Sequence, residues 1–319
     1  MKRIVGALRS PVTRWVFLGV ALAIAVYAVW ANWADLVLAA EELSPLTIAG
    51  ATVASFVYVW LTLLSWRRIL TDLGSHLPLG AATSLFGVSQ IGKYIPGGVW
   101  NIVAAAELGA DRQIPRRRSV TAMTVAVLVS IASGAAVGCV AFALAPAEVL
   151  GVWRWALWGA PLLMVLLVPA VMNRVIAWIF RLTRREPLEH PLTARGLTAS
   201  VGWAVASWLV AGLQVWLLAT GLGLPMSGQT LALAVGGYAL AWVVGFLVVF
   251  VPAGAGAREA VLLLVLGGSL GSGAVLMVVL ASRALLTVVD LTLAGVGIAL
   301  ERHHKRGRVE LTDRPTTLG

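Results

Sequence analysis

The stretch SQIGKYIPGGVWN, residues 89–101, interrupts an otherwise apolar segment of the chain. Pro96 has no backbone N–H, and Gly97 and Gly98 loosen the backbone, so a continuous helix should end here. Lys93 adds a charge three positions earlier. At membrane depth a broken backbone is tolerated only where protein or a water-filled cavity surrounds it, and a charge there indicates a functional site. The stretch therefore predicts a broken-helix element with a binding site at its tip.

The composition of the whole chain places this element in a membrane. Of 319 residues, 60% are hydrophobic and 12% are charged, and the mean hydropathy is +0.91. A soluble domain needs far more polar surface, so these values indicate an all-α polytopic membrane protein. The net charge of +10 would be compatible with binding to nucleic acid. The basic residues, however, flank apolar segments and form no separate basic face. We expect a multi-pass protein of the cytoplasmic membrane and no nucleic-acid partner.

The cysteine and histidine content argues against a disulfide or a metal site. Cys139 is the only cysteine, which excludes an internal disulfide. The four histidines lie in polar loops or in the C-terminal tail, without further ligands at the usual metal spacing. We expect no metal and no other cofactor.

Hydropathy predicts about six full spans and two interrupted segments. A span needs about 20 residues, so the interrupted segment 80–106 is too short to cross twice and should be a re-entrant hairpin. In the other interrupted segment, 230–270, the first arm is long enough to span the membrane. This segment is therefore either re-entrant or a complete hairpin of two spanning helices. The full spans are expected at about 15–31, 46–64, 119–145, 152–172, 197–220 and 273–300. Together they form one transmembrane domain, 1–300, followed by a basic cytosolic tail, 301–319, that we expect to be unstructured.

Basic residues set the orientation of these spans. With a cytosolic N-terminus, 20 of the 24 lysines and arginines lie in flanks assigned to the cytosol. Both termini and the basic loops at 107–118 and 173–195 are then cytosolic. The second of these loops could lie amphipathically on the membrane surface.

The two interrupted segments occupy corresponding places in two half-repeats, about 46–145 and 197–300. Each half contains a helix, a segment broken by PGG at 96–98 or PAGAG at 252–256, and another helix. The predicted orientation makes the halves inverted, which is typical of transporters that bind substrate near the midplane. The alternative is that any two apolar segments with Gly/Pro breaks look alike.

The two motifs also carry a family resemblance. GKYIPGGVWN with its following basic loop, and VPAGAGAREAVLLL, resemble the signature regions of the lysylphosphatidylglycerol synthase transmembrane-region family. The resemblance covers roughly residues 15–300. Members include the flippase half of aminoacyl-phosphatidylglycerol synthases and stand-alone relatives associated with glycolipid pathways. The second motif departs from the usual PG-G-x-RE pattern, and this sequence shows no soluble synthase domain, so the resemblance implies lipid translocation and not lysine transfer.

Candidate substrate-binding residues come from both breaks and from the last helix. Cations and free N–H groups at half-helix starts suit a phosphate. Lys93 could instead snorkel to the interface, and Arg258 could pair with Glu259. The candidates are Lys93, Tyr94, Pro96, Gly97, Gly98, Trp100, Asn101, Pro252, Gly254, Gly256, Arg258, Glu259 and Arg283.

The last predicted helix also contains an acidic residue. Asp290 follows Arg283 by seven positions and shares a helix face with it. This spacing predicts that the two pair across a cavity, with Asp290 available for proton coupling, or that they form a purely structural buried pair. Among the tryptophans, Trp66 is expected in the interfacial belt, and Trp100 is expected against the opposite hairpin or the lipid stem.

These observations favour a lipid transporter. We expect it to move an anionic phosphate-bearing lipid. The leading candidate is a polyprenyl phosphate, with or without an attached sugar. Aminoacyl-phosphatidylglycerol or another phospholipid is the close alternative. An integral glycosyl- or phosphotransferase would need more carboxylates or histidines near the surface, so a non-enzyme is favoured. The sequence is also compatible with a third function, that of an accessory subunit in a glycolipid pathway. Expected partners are the anionic lipid, the membrane, glycolipid-pathway enzymes and a second copy of the chain.

Overall fold

The computed structural model describes residue 30 and residues 33–95, 99–145, 164–182, 192–248, 254 and 256–312. Within these ranges the chain is helical and contains no strand. The predicted span at 15–31, most of the one at 152–172, and four candidate site residues lie outside the described residues. Those four are Pro96, Gly97, Gly98 and Pro252.

Ten α-helices and one short 3-10 helix make up the described part of the chain. The 3-10 helix, Ile91–Tyr94, directly follows α3. The helices are α1 Trp33–Glu42, α2 Pro45–Asp72, α3 Leu79–Gln90, α4 Trp100–Ala110, α5 Arg116–Leu144, α6 Pro169–Leu182, α7 Ala194–Thr220, α8 Gly228–Leu247, α9 Ala257–Leu266 and α10 Ser272–Thr312.

Five of these helices are long and apolar enough to cross a membrane, which confirms the multi-pass architecture. They are α2, α5, α7, α8 and the part of α10 from Ser272 to Leu300. Four correspond to spans predicted from hydropathy. The fifth, α8, is the first arm of the second interrupted segment, and its 20 residues match the length of a span.

The first interrupted segment has two short arms. Helix α3 has 12 residues and α4 has 11, so each is about 17 Å long at 1.5 Å per residue, well below the thickness of ~30 Å of the hydrocarbon core. The backbone between them leaves the α-helix at Ile91 and returns to it at Trp100. The break is therefore confirmed where the sequence placed it. Entry and exit of the hairpin on one side of the membrane stays a prediction, as does the inversion of the two halves.

Two element ends differ from the prediction. Helix α2 was expected to end near Arg67, yet it continues to Asp72, and the Arg67 Nε–H donates to the Leu77 carbonyl at 2.9 Å. The expectation of an unstructured tail after residue 300 is wrong for residues 301–312, because α10 stays helical to Thr312; residues 313–319 lie outside the described residues. Charges mark where a helix leaves lipid, and a helix can extend well beyond that point.

Helices α2 and α7, which begin the two predicted half-repeats, pack against each other more extensively than any other pair of described helices. The buried hydroxyls of Ser65 and Ser200 lie 2.9 Å apart. At the end of this contact the Asp72 carboxylate accepts hydrogen bonds from the Thr193 amide and hydroxyl, both at 2.7 Å. Thr193 in turn caps α7 by accepting from the Gly196 amide at 2.9 Å. This seam joins the halves.

Small residues bring the broken segments close to their neighbours. A Cβ on Gly87 of α3 would lie 2.6 Å from the Leu293 carbonyl oxygen of α10, and a Cβ on Gly297 would lie 2.9 Å from the Ser84 Cα. The Ser84 hydroxyl donates to the Gly297 carbonyl at 2.8 Å. Backbone-to-backbone contact of this kind is typical of membrane helices. It fixes the first hairpin arm, and the turn that follows it, against α10.

Candidate functional site

A cavity of about 190 Å³ lies where the two breaks meet α2, α5, α8 and α10. Lys93 reaches it from the 3-10 turn after α3, and Arg258 reaches it from the first turn of α9. Helix α10 contributes Arg283 and Asp290. The two broken segments, far apart in sequence, therefore deliver charges to one cavity.

Lys93 forms an ion pair inside this cavity. Its Nζ lies 2.6 Å from the Asp290 Oδ2, and the Tyr94 hydroxyl donates to the same oxygen at 2.6 Å. Asp290 is only 1% exposed, whereas the Lys93 side chain is 33% exposed and lines the cavity. The Asp290 Oδ1 is buried and has no hydrogen-bond partner among the described residues. One oxygen of the carboxylate thus carries both contacts.

Arg258 is held by aromatic groups. Its Nη2 donates to the Tyr238 hydroxyl at 2.5 Å, and its guanidinium carbon lies 4.9 Å from the centre of the Tyr238 ring. Tyr238 meets Tyr58 edge to face at 5.8 Å. Within the described ranges, no carboxylate forms an ion pair with Arg258. A cation whose direct partners are a phenol and a ring face is well prepared to bind an anion.

Glu259, the neighbour of Arg258, faces other partners. Its Oε1 lies 3.4 Å from the Arg283 Nη1, and its Oε2 accepts a hydrogen bond from the Gly256 amide at 2.6 Å. Gly256 begins α9 with a φ of 85°, a conformation that glycine adopts without strain. The alternative in which Arg258 and Glu259 pair with each other is therefore wrong. The amide at the start of α9, expected to be free for an anion, is occupied by Glu259.

Two charged residues of α10, Arg283 and Asp290, contact other elements and not each other. Seven positions separate Arg283 from Asp290, which predicted that they pair with each other. In the structure Arg283 contacts Glu259 of α9, and Asp290 contacts Lys93 of the first break. Both broken segments are consequently tied to α10 by charge.

Most of the predicted site residues that the structure describes come together. Trp100 is 44% exposed and does not line this cavity, so its predicted place in the site is not supported. Gly256 and Glu259 lie beside the cavity, in the network with Arg283. The predicted residues that line it are Lys93, Tyr94, Asn101, Gly254, Arg258, Arg283 and Asp290.

An aromatic wall lines the cavity and was not predicted from the sequence. Trp66, expected at the interface, is 1% exposed and packs on Phe86 with ring centres 5.4 Å apart. Trp242 and Phe246 stack at 5.3 Å, and all four rings line the cavity. The signal was present as spacing, because Trp242 and Phe246 are four apart and share one face of α8. Tyr58 also precedes Trp66 by eight positions, about two helical turns.

A separate ion pair closes the turn between α4 and α5. Arg116 donates from Nε and Nη2 to the two carboxylate oxygens of Glu107, at 2.9 and 2.6 Å. Both side chains are more than half exposed, and the hydrogen bonds from Arg116 lower the pKa of Glu107 below its usual value. This pair joins the second hairpin arm to a spanning helix and lies outside the cavity.

Comparison with known proteins supports the resemblance seen in the motifs. Residues 16–294 match the family described as "Lysylphosphatidylglycerol synthase TM region". The match includes both breaks and every charged residue that lines the cavity. No curated protein matches the chain.

Proposed function

Since the chain belongs to the lysylphosphatidylglycerol synthase transmembrane-region family, we propose that it is a lipid transporter that moves an anionic, phosphate-bearing lipid across the cytoplasmic membrane. The observation that carries this proposal is the convergence of Lys93 and Arg258, one from each break, on a single cavity between spanning helices. Broken helices that meet in this way are typical of transporter binding sites.

The charges of the cavity favour an anionic headgroup. Among the described residues, Lys93, Arg258 and Arg283 line it together with a single carboxylate, that of Asp290. Even with Glu259 beside Arg283, cations outnumber carboxylates. Moving a phosphate through hydrocarbon is costly unless fixed cations replace its water shell. The headgroup would therefore pass between the hairpins while the apolar tails stay in the bilayer.

Among anionic lipids, we place a polyprenyl phosphate, with or without sugar, before aminoacyl-phosphatidylglycerol. An aminoacyl group adds at least one ammonium to the headgroup, and this would face the three cations of the cavity. The aromatic wall offers flat apolar faces to an unsaturated stem or a sugar ring, as Trp242 and Phe246 illustrate by their stacking. A lipid without an amine fits both features better.

The test is to identify the lipid and then to measure its movement. We expect a phosphate-bearing lipid to co-purify with the protein and to be identifiable by mass spectrometry. The identified lipid is added to one leaflet of vesicles that contain the purified protein. If the protein translocates the lipid, a membrane-impermeant reagent on the other side of the membrane should react with it. An amine-bearing lipid as the only bound species would contradict the substrate class, and the absence of movement would contradict the transporter.

A matched pair of variants ties this transport to the cavity. Arg258→Gln removes a charge-assisted contact of about 1.5–3 kcal/mol, so lipid binding should weaken roughly tenfold or more. Arg174→Gln is the control, because Arg174 is an exposed arginine of α6 that does not line the cavity. Equal binding by the two variants would show that the anion does not lie at Arg258.

A further inference from the structure

We infer that the lipid headgroup and Asp290 compete for the ammonium of Lys93, so that each headgroup that binds brings one proton onto Asp290. This inference rests on the proposed function, because it concerns the same cavity and the same anion. It adds an exchange of partners to transport. The phosphate replaces the Asp290 carboxylate as the counter-ion of Lys93. A proton from water then replaces Lys93 and neutralises Asp290.

Lys93 already has an anion as its partner in the absence of lipid. Its Nζ lies 2.6 Å from the Asp290 Oδ2, well within ion-pair distance. A phosphate that used Lys93 without disturbing this contact would lie beside a charged carboxylate in a buried volume. Two like charges in one site repel, and one of them then takes up a proton.

Lys93 and Asp290 differ in how far their side chains can move. Lys93 is on a four-residue 3-10 turn beside the break and has four side-chain torsions. Asp290 lies inside α10, is 1% exposed, and has a short side chain. When a phosphate arrives, the ammonium can swing toward it, whereas the carboxylate cannot follow. Asp290 is then left buried without its cation, and a buried carboxylate without a cation is more stable when protonated.

The carboxylate of Asp290 has an oxygen that can receive the proton. The Asp290 Oδ2 accepts from both Lys93 and Tyr94, while Oδ1 is buried with no hydrogen-bond partner among the described residues. A proton on Oδ1 leaves the Tyr94 hydrogen bond to Oδ2 in place. Tyr94 therefore keeps the carboxyl group oriented in both states, while the charge of Lys93 is released to the headgroup.

The remaining charged and titratable groups around Asp290 do not replace Lys93. From α9, Arg258 contacts Tyr238; from α10 itself, Arg283 contacts Glu259. Tyr58 of α2 is a neutral phenol. Neither α3 nor the cavity-lining part of α5 contributes a titratable side chain. The cation that Asp290 loses is consequently not supplied by another element in the described part of the cavity.

The experiment counts protons during binding. The probe is farnesyl methyl phosphate, a phosphodiester with an isoprenoid tail, which keeps one negative charge across neutral pH because it lacks the second ionisation of a phosphomonoester. Calorimetric titration of the full-length protein in two buffers of different ionisation enthalpy gives the number of protons taken up per probe bound. We expect about one for wild type and an affinity that rises about tenfold for each unit of falling pH.

Two variants locate the proton. Asp290→Asn should bind the probe with no proton uptake and no dependence on pH, because Lys93 has no competing carboxylate. Glu107→Gln, which removes an exposed carboxylate outside the cavity, should take up the same number of protons as wild type. If Asp290→Asn fails to fold, the wild-type proton count alone decides the question.

The outcomes separate the two proposals. Binding by wild type without proton uptake overturns the exchange and leaves the transporter intact. Uptake that persists in a folded Asp290→Asn variant also overturns it, because another group then receives the proton. No binding of the probe at any pH contradicts the proposed function, and the exchange falls with it.

Discussion

Replacing Gly87 with alanine should loosen the first hairpin arm from α10. The added Cβ would lie 2.6 Å from the Leu293 carbonyl oxygen, where ordinary contacts begin near 3.4 Å. The atoms in the way are backbone, so the two helices must separate by up to about 0.8 Å. Overpacking of this kind typically costs about 1–3 kcal/mol.

The matched control is Gly80→Ala on the same helix. A Cβ at Gly80 meets no atom within 4 Å, so this substitution changes helix propensity without a clash. Each kcal/mol of lost unfolding free energy lowers the melting temperature by roughly 2–4 °C. The Gly87→Ala variant should therefore melt about 2–12 °C below the Gly80→Ala variant in the same detergent. Thermal unfolding followed by tryptophan fluorescence measures this difference.

The same displacement should affect binding less than stability. A shift of about 0.8 Å would lengthen the Lys93–Asp290 contact from 2.6 Å but keep it within ion-pair distance. Headgroup affinity should therefore change by a small factor while the melting temperature falls. Equal melting temperatures for the alanine variants at Gly87 and Gly80 would refute the close packing of α3 on α10.

Three further outcomes are expected. On a cysteine-free background, single cysteines in the loops 107–118 and 221–229 should label from opposite sides of the membrane; labelling from one side would contradict inverted halves. Lys93→Ala and Arg258→Ala should each weaken lipid binding about tenfold. In the double variant the loss of binding free energy should differ from the sum of the two single losses, because residues that share a ligand are not additive. Strict additivity in a binding titration would argue for separate sites. Because its pKa is lowered, Glu107 should stabilise the turn at neutral pH and lose that effect as the pH falls through the lowered value; a melting-temperature difference between wild type and Glu107→Gln that persists in acid would contradict this.

The sequence predicted the architecture because the properties that determine it are local. Apolar length defines spans, and Pro and Gly mark breaks, so α7 and α10 begin within three residues of their predicted starts, at Ala194 and Ser272. The break near Lys93 was also predictable, because neither a charge nor proline suits the interior of a lipid-facing helix.

The partners within the site were not predictable, because they are matters of tertiary structure. Spacing along one helix suggested that Arg283 pairs with Asp290, yet each contacts a residue from a different broken segment. Trp66 was placed at the interface because arginines follow it, but α2 continues to Asp72 and carries Trp66 into the core. Hydropathy shows where lipid ends and does not show which side chains meet.

The contact between the first break and α10 also has a consequence for how the chain is made. Tyr94 and Asp290 are 196 positions apart, so at about 5–20 residues per second the ribosome needs roughly 10–40 s to supply the acid after the lysine has emerged. For that interval the Lys93 ammonium has no α10 carboxylate, and burying it in hydrocarbon is costly. We expect the first hairpin to wait at the membrane surface, so that a cysteine at position 94 reacts with a water-soluble reagent in chains stalled before Asp290 and is protected in finished ones. Protection in the stalled chains would show early entry. Helix α10, synthesised much later, would thus set the moment at which the first broken segment takes its place.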